Sequence, residues 1–422
     1  MQTCQAAPWS PILVVALGLL VAGLPAAVAQ DAAFWPQFHG PKRDNLSTET
    51  GLLQQWPEAG PTLLWRAQGI GEGYATVSIA RGLIYTSGNI DDKTVITALD
   101  MDGRIRWKVE NGRAWTASQP GARMTPTLDG DRLYHESPHG DLVCLDAKTG
   151  RKIWGLNVLD AFHSKNTNWA QAESLLIDGD RVICSPGGPE TAMVALDKKT
   201  GQTLWKSPTA GDLAGYASAS LGECQGLRIL FTLTSRALIG VNADTGDLLW
   251  RFEQITPFEE NILMPIYHDG HVFISTRTTG SVLLKIHVDG KQASVKEVWR
   301  TQELDNQHGG VILLNGYLYG ACHVHNNSKW VCLDWKTGRP TYVERGIGKG
   351  SLTYADGMFS MMSENRNVGL IKAKPEAYEL VSRFKLPDGG EGPSWAHPVV
   401  CGGRLYIRYS DFLYAYDMRT AK

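Results

Sequence analysis

The chain has 422 residues, with 41 Lys and Arg against 43 Asp and Glu for a formal charge of -2. A balance this even offers no field for a polyanionic partner, which excludes a nucleic-acid binder working by charge. The 45 Gly and 14 Trp suit a turn-dense globular chain.

At the N-terminus an apolar run over residues 12–22 is followed by Ala27-Val28-Ala29. This pattern predicts a secretory signal peptide cut after Ala29, although no Lys or Arg precedes the run. The run is short for a membrane span, and no second one follows, so no integral membrane segment is expected after cleavage and the location expected is periplasmic or secreted. Residues 30–60 are read as an N-terminal extension and residues 61–422 as one folded domain. Cys144, Cys184, Cys224, Cys322, Cys332 and Cys401 would survive cleavage. Cys322 and Cys332 flank Asn326-Asn327-Ser328, and a hairpin centred on Asn327 would set them opposite each other as disulfide candidates.

The domain opens on Pro61-Thr62-Leu63-Leu64-Trp65-Arg66, a strand with nothing resembling the three strands that precede later Trp positions. Thereafter one pattern recurs: Asp146, Thr149, Gly150, Trp154; Asp197, Thr200, Gly201, Trp205; Asn242, Thr245, Gly246, Trp250; and looser copies at Asp100, Gly103, Trp107, at Asp289, Gly290, Trp299 and at Asp334, Thr337, Gly338, Tyr342. From Trp65 to Tyr342 the aromatic recurs at intervals of 42, 47, 51, 45, 49 and 43 residues, a period expected of a propeller array. Each Asp ends a strand and caps turn amides, and each Gly supplies the positive φ of a tight turn. Two further strands and a short innermost one ending in Asp-Gly precede each Asp, giving four strands per unit. The last strands lead into Met418-Arg419-Thr420, and the chain stops where an outer strand is due. The predicted fold is therefore all-β, an eight-bladed β-propeller of four-stranded antiparallel blades in which the N-terminal strand at Trp65 completes the last blade. Trp154, Trp205 and Trp250 are expected to be largely buried between blades.

The Leu-Asp-x-x-Thr-Gly-x-x-x-Trp repeat resembles that of the PQQ-like β-propellers, which include quinoprotein alcohol dehydrogenases and the propeller lipoprotein of the outer-membrane barrel assembly machinery. The opening Trp35-Pro36-Gln37-Phe38-x-Gly40-Pro41-x-Arg43-x-Asn45 resembles the start of secreted bacterial PQQ-binding-like repeat proteins. The resemblance covers about residues 35 to 420 and implies either a quinone enzyme or a scaffold without catalysis. The dehydrogenases carry a bonded pair of adjacent cysteines and are longer, and neither mark is present here. The barrel-assembly lipoprotein has a Cys at its cleavage site, and here the only early Cys is Cys4.

In a propeller the connections from each outer strand to the next innermost strand gather at one mouth of the channel. Here they carry Glu72, Tyr74, Arg123, Trp169, Glu173, Tyr216, Glu260, Asn261, His308, Lys349, Trp395 and His397, a convergent polar and aromatic set suited to a ligand. Of these, Arg123, Trp169, Glu173, Asn261, Lys349, Trp395 and His397 are the candidate binding residues. If the ligand were PQQ with calcium, Arg123 and Lys349 would face its carboxylates, Trp169 or Trp395 its ring, and Glu173 with Asn261 the cation. The primary expectation is no cofactor and a binding or scaffolding module of the cell envelope, monomeric, with envelope proteins or a small anionic or carbohydrate ligand as partner. A PQQ-dependent dehydrogenase of an alcohol or sugar is the first alternative and a carbohydrate-binding propeller the second. No catalytic residue is assigned. His323 and His325 are read as a solvent-facing hairpin pair and no metal site is expected, because no third ligand is near.

Overall fold

A computed structural model describes Met1 and residues 33–420, so the expected signal peptide lies outside the described residues. Residues 63–417 form eight four-stranded antiparallel sheets. Seven are consecutive, spanning 78–113, 127–157, 176–206, 220–253, 266–301, 311–344 and 350–385. The eighth takes its outer strand from the other end of the chain, Leu63–Gln68 beside Phe412–Asp417, with Trp65 opposite Ala415 and Arg66 opposite Tyr414. The ring is thus closed by hydrogen bonds between its two ends, as its terminal sequences predict, and no blade lacks its outer strand.

Within a blade, the middle strands are covered on both faces by neighbouring blades. Leu142, Val143, Cys144 and Leu145 are all buried, which is why such strands read as unbroken apolar runs. The turn that follows is built by the repeat. Asp146 Oδ1 accepts from the Thr149 amide at 2.9 Å and the Thr149 hydroxyl at 2.6 Å, and Gly150 turns the chain at φ +74°.

The Gly of each such turn also receives the Trp of the preceding blade. A Cβ on Gly201 would lie 2.7 Å from the Trp154 ring, and on Gly103, Gly246 and Gly338 it would lie 2.6 Å from Trp65, Trp205 and Trp299. The indole N–H groups of Trp65, Trp154 and Trp299 donate to Met101, Lys198 and Trp335 carbonyls in the same turns, at 2.9, 3.1 and 2.9 Å. Trp250 differs, packing on Gly240 of its own sheet, because the next turn is a long hairpin between Gly280–Asp289 and Gln292–Thr301. Trp250 is 8% exposed, but Trp154 and Trp205 are only half-buried, less than expected. One face of each ring rests on the glycine, and an edge at the perimeter meets solvent.

The six cysteines of the described residues are free and buried. The Cys322–Cys332 bridge does not form because the register sets Tyr319 opposite Cys332 and directs the Cys322 amide to the Lys329 carbonyl.

Residues 35–47 cross the centre of the ring. Trp35 exchanges two 2.7 Å backbone hydrogen bonds with Ile79, and the Pro36 carbonyl accepts from the Leu128 amide at 2.8 Å. Arg43 donates to the Ser174 and Leu175 carbonyls at 3.0 and 3.1 Å. Asn45 and Ser47 then bracket Tyr354, accepting from its amide at 3.1 Å and donating to its carbonyl at 2.8 Å. The strap therefore bonds to the innermost strands of the first, second and seventh blades. Its Gly40, at φ +81°, leaves room for the Trp35 ring, which a Cβ would approach to 2.9 Å. Farther on, Leu52 and Trp56 enter the core of the seventh and eighth blades.

The Trp–Gly contact makes a specific prediction. Gly201→Ala should destabilise the protein by about 1–3 kcal/mol more than Gly179→Ala, through overpacking against Trp154. Both glycines have positive φ, +76° and +58°, but nothing lies within 4 Å of a Cβ at Gly179. In urea unfolding, Trp154→Ala combined with Gly201→Ala should cost less than the two single changes summed. Additive costs would mean that the two residues do not interlock.

Candidate functional site

The strap divides the channel into two cavities. On the side of the connections that enter the innermost strands lies a cup of about 420 Å³ with Phe38 and His39 of the strap in its lining. On the other side a cavity of about 660 Å³ runs between Pro41, Lys42 and Asp44 and the inner strands of the third to sixth blades.

Of the candidate binding residues, Arg123, Trp169, Trp395 and His397 line the cup, as do Tyr74, Tyr216, Glu260 and His308. Lys349 stands beside it in a small recess with His308 and His323. Glu173 and Asn261 are turned away. Glu173 is buried and accepts from the Ser185 amide and hydroxyl at 2.7 and 3.2 Å. Burial raises its carboxyl to about 7 against those hydrogen bonds. The Asn261 amide group donates to the Thr234, Ser235 and Gln254 carbonyls and ties a loop together. Glu72 accepts from Ser410 at 2.7 Å.

Several lining residues were not predicted, among them five aromatic, charged or amide side chains that shape the cup's chemistry. Phe38 and His39 come from the strap, Arg277 and His323 from turns between second and third strands, and Gln307 from beside His308. Second-to-third-strand turns open on the same face as the entering connections, and that geometry is the signal that could have found Arg277 and His323.

The polar groups are locked into defined protonation states. Glu364 Oε1 accepts from His308 Nε2 at 2.8 Å and from Trp395 Nε1 at 3.0 Å, and Lys349 Nζ lies 3.4 Å from Oε2. Burial alone would raise the Glu364 carboxyl, but His308, Lys349 and the indole N–H hold it down at about 2. Burial lowers His308 below its ordinary value, so the ring is neutral with its proton on Nε2 and a lone pair on Nδ1. Lys349 Nζ donates to His323 Nδ1 at 3.0 Å, which leaves the His323 proton on Nε2. Burial, then the Lys349 charge, lowers that ring to about 4. At the floor His397 Nε2 donates to the His308 carbonyl at 2.8 Å, so its Nδ1 accepts from His39 Nε2 at 2.9 Å. Both rings are neutral, chiefly because they are buried, with His397 at about 4 and His39 well below its ordinary value.

Charge is not balanced in the cup. Arg277 pairs with Glu260 at 2.8 Å, and Lys349 pairs with Glu364. Arg123 spends its Nη1 and Nη2 on the Gly121 and Gln119 carbonyls, each at 2.6 Å, and its guanidinium faces the Tyr74 and Trp115 rings at 5.7 and 5.9 Å. Burial pulls it down to about 10, and no carboxylate among the described residues pairs with it.

The oxygen donors that a calcium–quinone pair would need do not assemble. Glu173 and Asn261 lie outside the cup with their polar atoms engaged, and Glu260 Oε2 takes both Arg277 and Gln307, at 2.8 and 2.9 Å. No group of three His, Cys, Asp or Glu suited to a metal occurs among the described residues. His323 and His325 separate, His325 Nε2 lying 2.8 Å from the Thr278 carbonyl.

Because the folded Glu364 carboxyl sits at about 2 against an ordinary value of 4.5, its stabilising contribution is fully present above the higher value and lost as pH falls toward the lower. Glu364→Gln should thus be less stable than the parent near about pH 6, with the gap closing toward about pH 2. A pH series of urea midpoints checks this, and a gap that stays constant would contradict it.

Similarity to known proteins agrees with this fold. The chain is 24% identical over 363 residues to the quinohemoprotein alcohol dehydrogenase ADH-IIG of Pseudomonas putida, covering 70% of this chain and 47% of that one. It is 26% identical over 168 residues to the outer membrane protein assembly factor BamB of Nitrosomonas eutropha, covering 39% of this chain and 36% of the relative. The chain thus spans less than half the length of either curated relative. A europium-containing methanol dehydrogenase superimposes with a TM-score of 0.65 at 12% identity, over 89% of each chain, a likeness of fold alone. The family model described as the outer membrane protein assembly factor BamB matches residues 91–342, more than half of the chain, and the chain belongs to this PQQ-like propeller family.

Proposed function

We propose that this protein is an exported binding module of the cell envelope and that the cup holds a small anionic ligand. The observation that carries the reading is Arg123, a half-buried guanidinium in the wall of the cup with no carboxylate partner among the described residues. Its hydrogen bonds go only to neutral backbone carbonyls, and a ligand carboxylate would add a charge-assisted one. The neutral histidines around it add no competing charge. A propeller gives such a site rigidity, since its lining comes from connections fixed by separate blades.

The similarity to ADH-IIG over 70% of the chain favours a second reading, a dehydrogenase that binds PQQ in the same cup. Titration of intrinsic Trp fluorescence with malonate, citrate, and PQQ with and without Ca²⁺ separates the two. The first reading predicts saturable anion binding that weakens about tenfold or more in Arg123→Gln, the loss of one charged hydrogen bond, at nearly unchanged melting temperature. Failure of every anion to bind, or equal binding by the variant, would overturn it. Stoichiometric retention of PQQ only with Ca²⁺ would establish the dehydrogenase reading instead.

A further inference from the structure

The lining of the cup specifies more than an anion. Trp395 and Tyr74 form one aromatic wall, their centroids 4.7 Å apart, with His308 4.5 Å from the Trp395 ring. Trp169 and Tyr216, 5.8 Å apart, form another from a separate pair of neighbouring connections, and the exposed Phe258 meets Trp169 edge-on at 6.4 Å. Such walls suit either a flat aromatic ring or the C–H faces of a pyranose.

The polar groups between the walls decide between them. The hydrogen bonds already made leave Glu260 and His308 Nδ1 as acceptors and His323 Nε2 as a donor in the same lining. An aromatic acid would desolvate these groups without pairing them, at about 1–3 kcal/mol for each one left unsatisfied. A polyhydroxylated ring can donate to the acceptors and accept from the donor. A neutral sugar, in turn, would leave Arg123 without a counter-charge. Only a ring that carries both hydroxyls and a carboxylate answers the whole set.

We infer that the cup binds a uronic acid, a pyranose whose carboxylate meets Arg123 and whose hydroxyls are read by His308, His323 and Glu260. This rests on the reading of the cup as an anion site and names its ligand class. The floor set by Phe38 and His39 means that the sugar enters end-on, either as a free sugar acid or as the terminal unit of an acidic polysaccharide.

The test is calorimetric titration of the full-length mature protein with D-glucuronate, D-galacturonate, D-glucose, acetate, benzoate and trigalacturonate. One uronate should bind about tenfold or more tightly than glucose, acetate and benzoate. Arg123→Gln should reduce its affinity to that of glucose, and Trp395→Ala should weaken uronate and glucose alike. Trigalacturonate binding at least as well as the monomer would identify the terminus of a chain as the source, and binding of monomer alone would identify a free sugar acid. Glucose binding as tightly as uronate would overturn the inference. Benzoate doing so, with the dependence on Arg123 retained, would overturn it while leaving the anion site intact. Binding by none of the acids would remove both.

Discussion

The cup exists because a short strap hydrogen-bonds across the middle of the ring. A ring of eight blades is by itself a tube whose innermost strands present free edges to the channel. Residues 35–47 take up some of these edges, at Ile79, Leu128 and Tyr354, and in doing so turn a tube into two blind cavities. The strap has its own internal requirements. Trp35, 2% exposed, needs the bare backbone of Gly40. Arg43 brings a buried charge that donates to two backbone carbonyls and lies within electrostatic reach of Glu173. His39 completes the floor through its hydrogen bond to His397. A motif that looks like a family label is thus a set of structural parts.

The frame that holds the strap is the repeated contact of a Trp on the glycine of the next blade's turn. This much could be read in the sequence, because the turn needs Asp, Thr and Gly at fixed spacing and the docking ring must follow four residues later. Ring closure was legible for a related reason, since each terminus lacked the strands the other supplied. The exposure of Trp154 and Trp205 was not. The sequence shows that a ring must dock, and only the perimeter position of the outer strand shows how much of it stays wet. The place of the strap was equally hidden, because its partners at Ile79, Ser174 and Tyr354 lie far away in sequence and are reached through backbone groups that carry no residue signature.

The site was legible where topology alone fixed it. Arg123, Trp169, Trp395 and His397 sit on connections that must converge, and they do. Glu173 and Asn261 sit on the same kind of connection, but the side chain of each turns inward to satisfy backbone groups, and residue type does not reveal that choice. Glu364, which sets the proton positions of His308 and receives Lys349 and Trp395, lies on a second-to-third-strand turn and belongs to no repeat. The chemical character of the cup follows from these long-range pairings. Every cation in it but one has a carboxylate, and every histidine is held neutral with its proton on a known nitrogen.

The central claim, that the strap is a fixed part of the ring and the channel is closed, can be measured directly by amide hydrogen exchange of the full chain. The backbone hydrogen bonds at the strap predict that the amides of Trp35, Ser47, Ile79, Leu128 and Tyr354 exchange as slowly as those of mid-blade strands such as Asp141–Asp146. Complete exchange of residues 35–47 within seconds, with the blades still protected, would show the strap undocked and the cup without its floor.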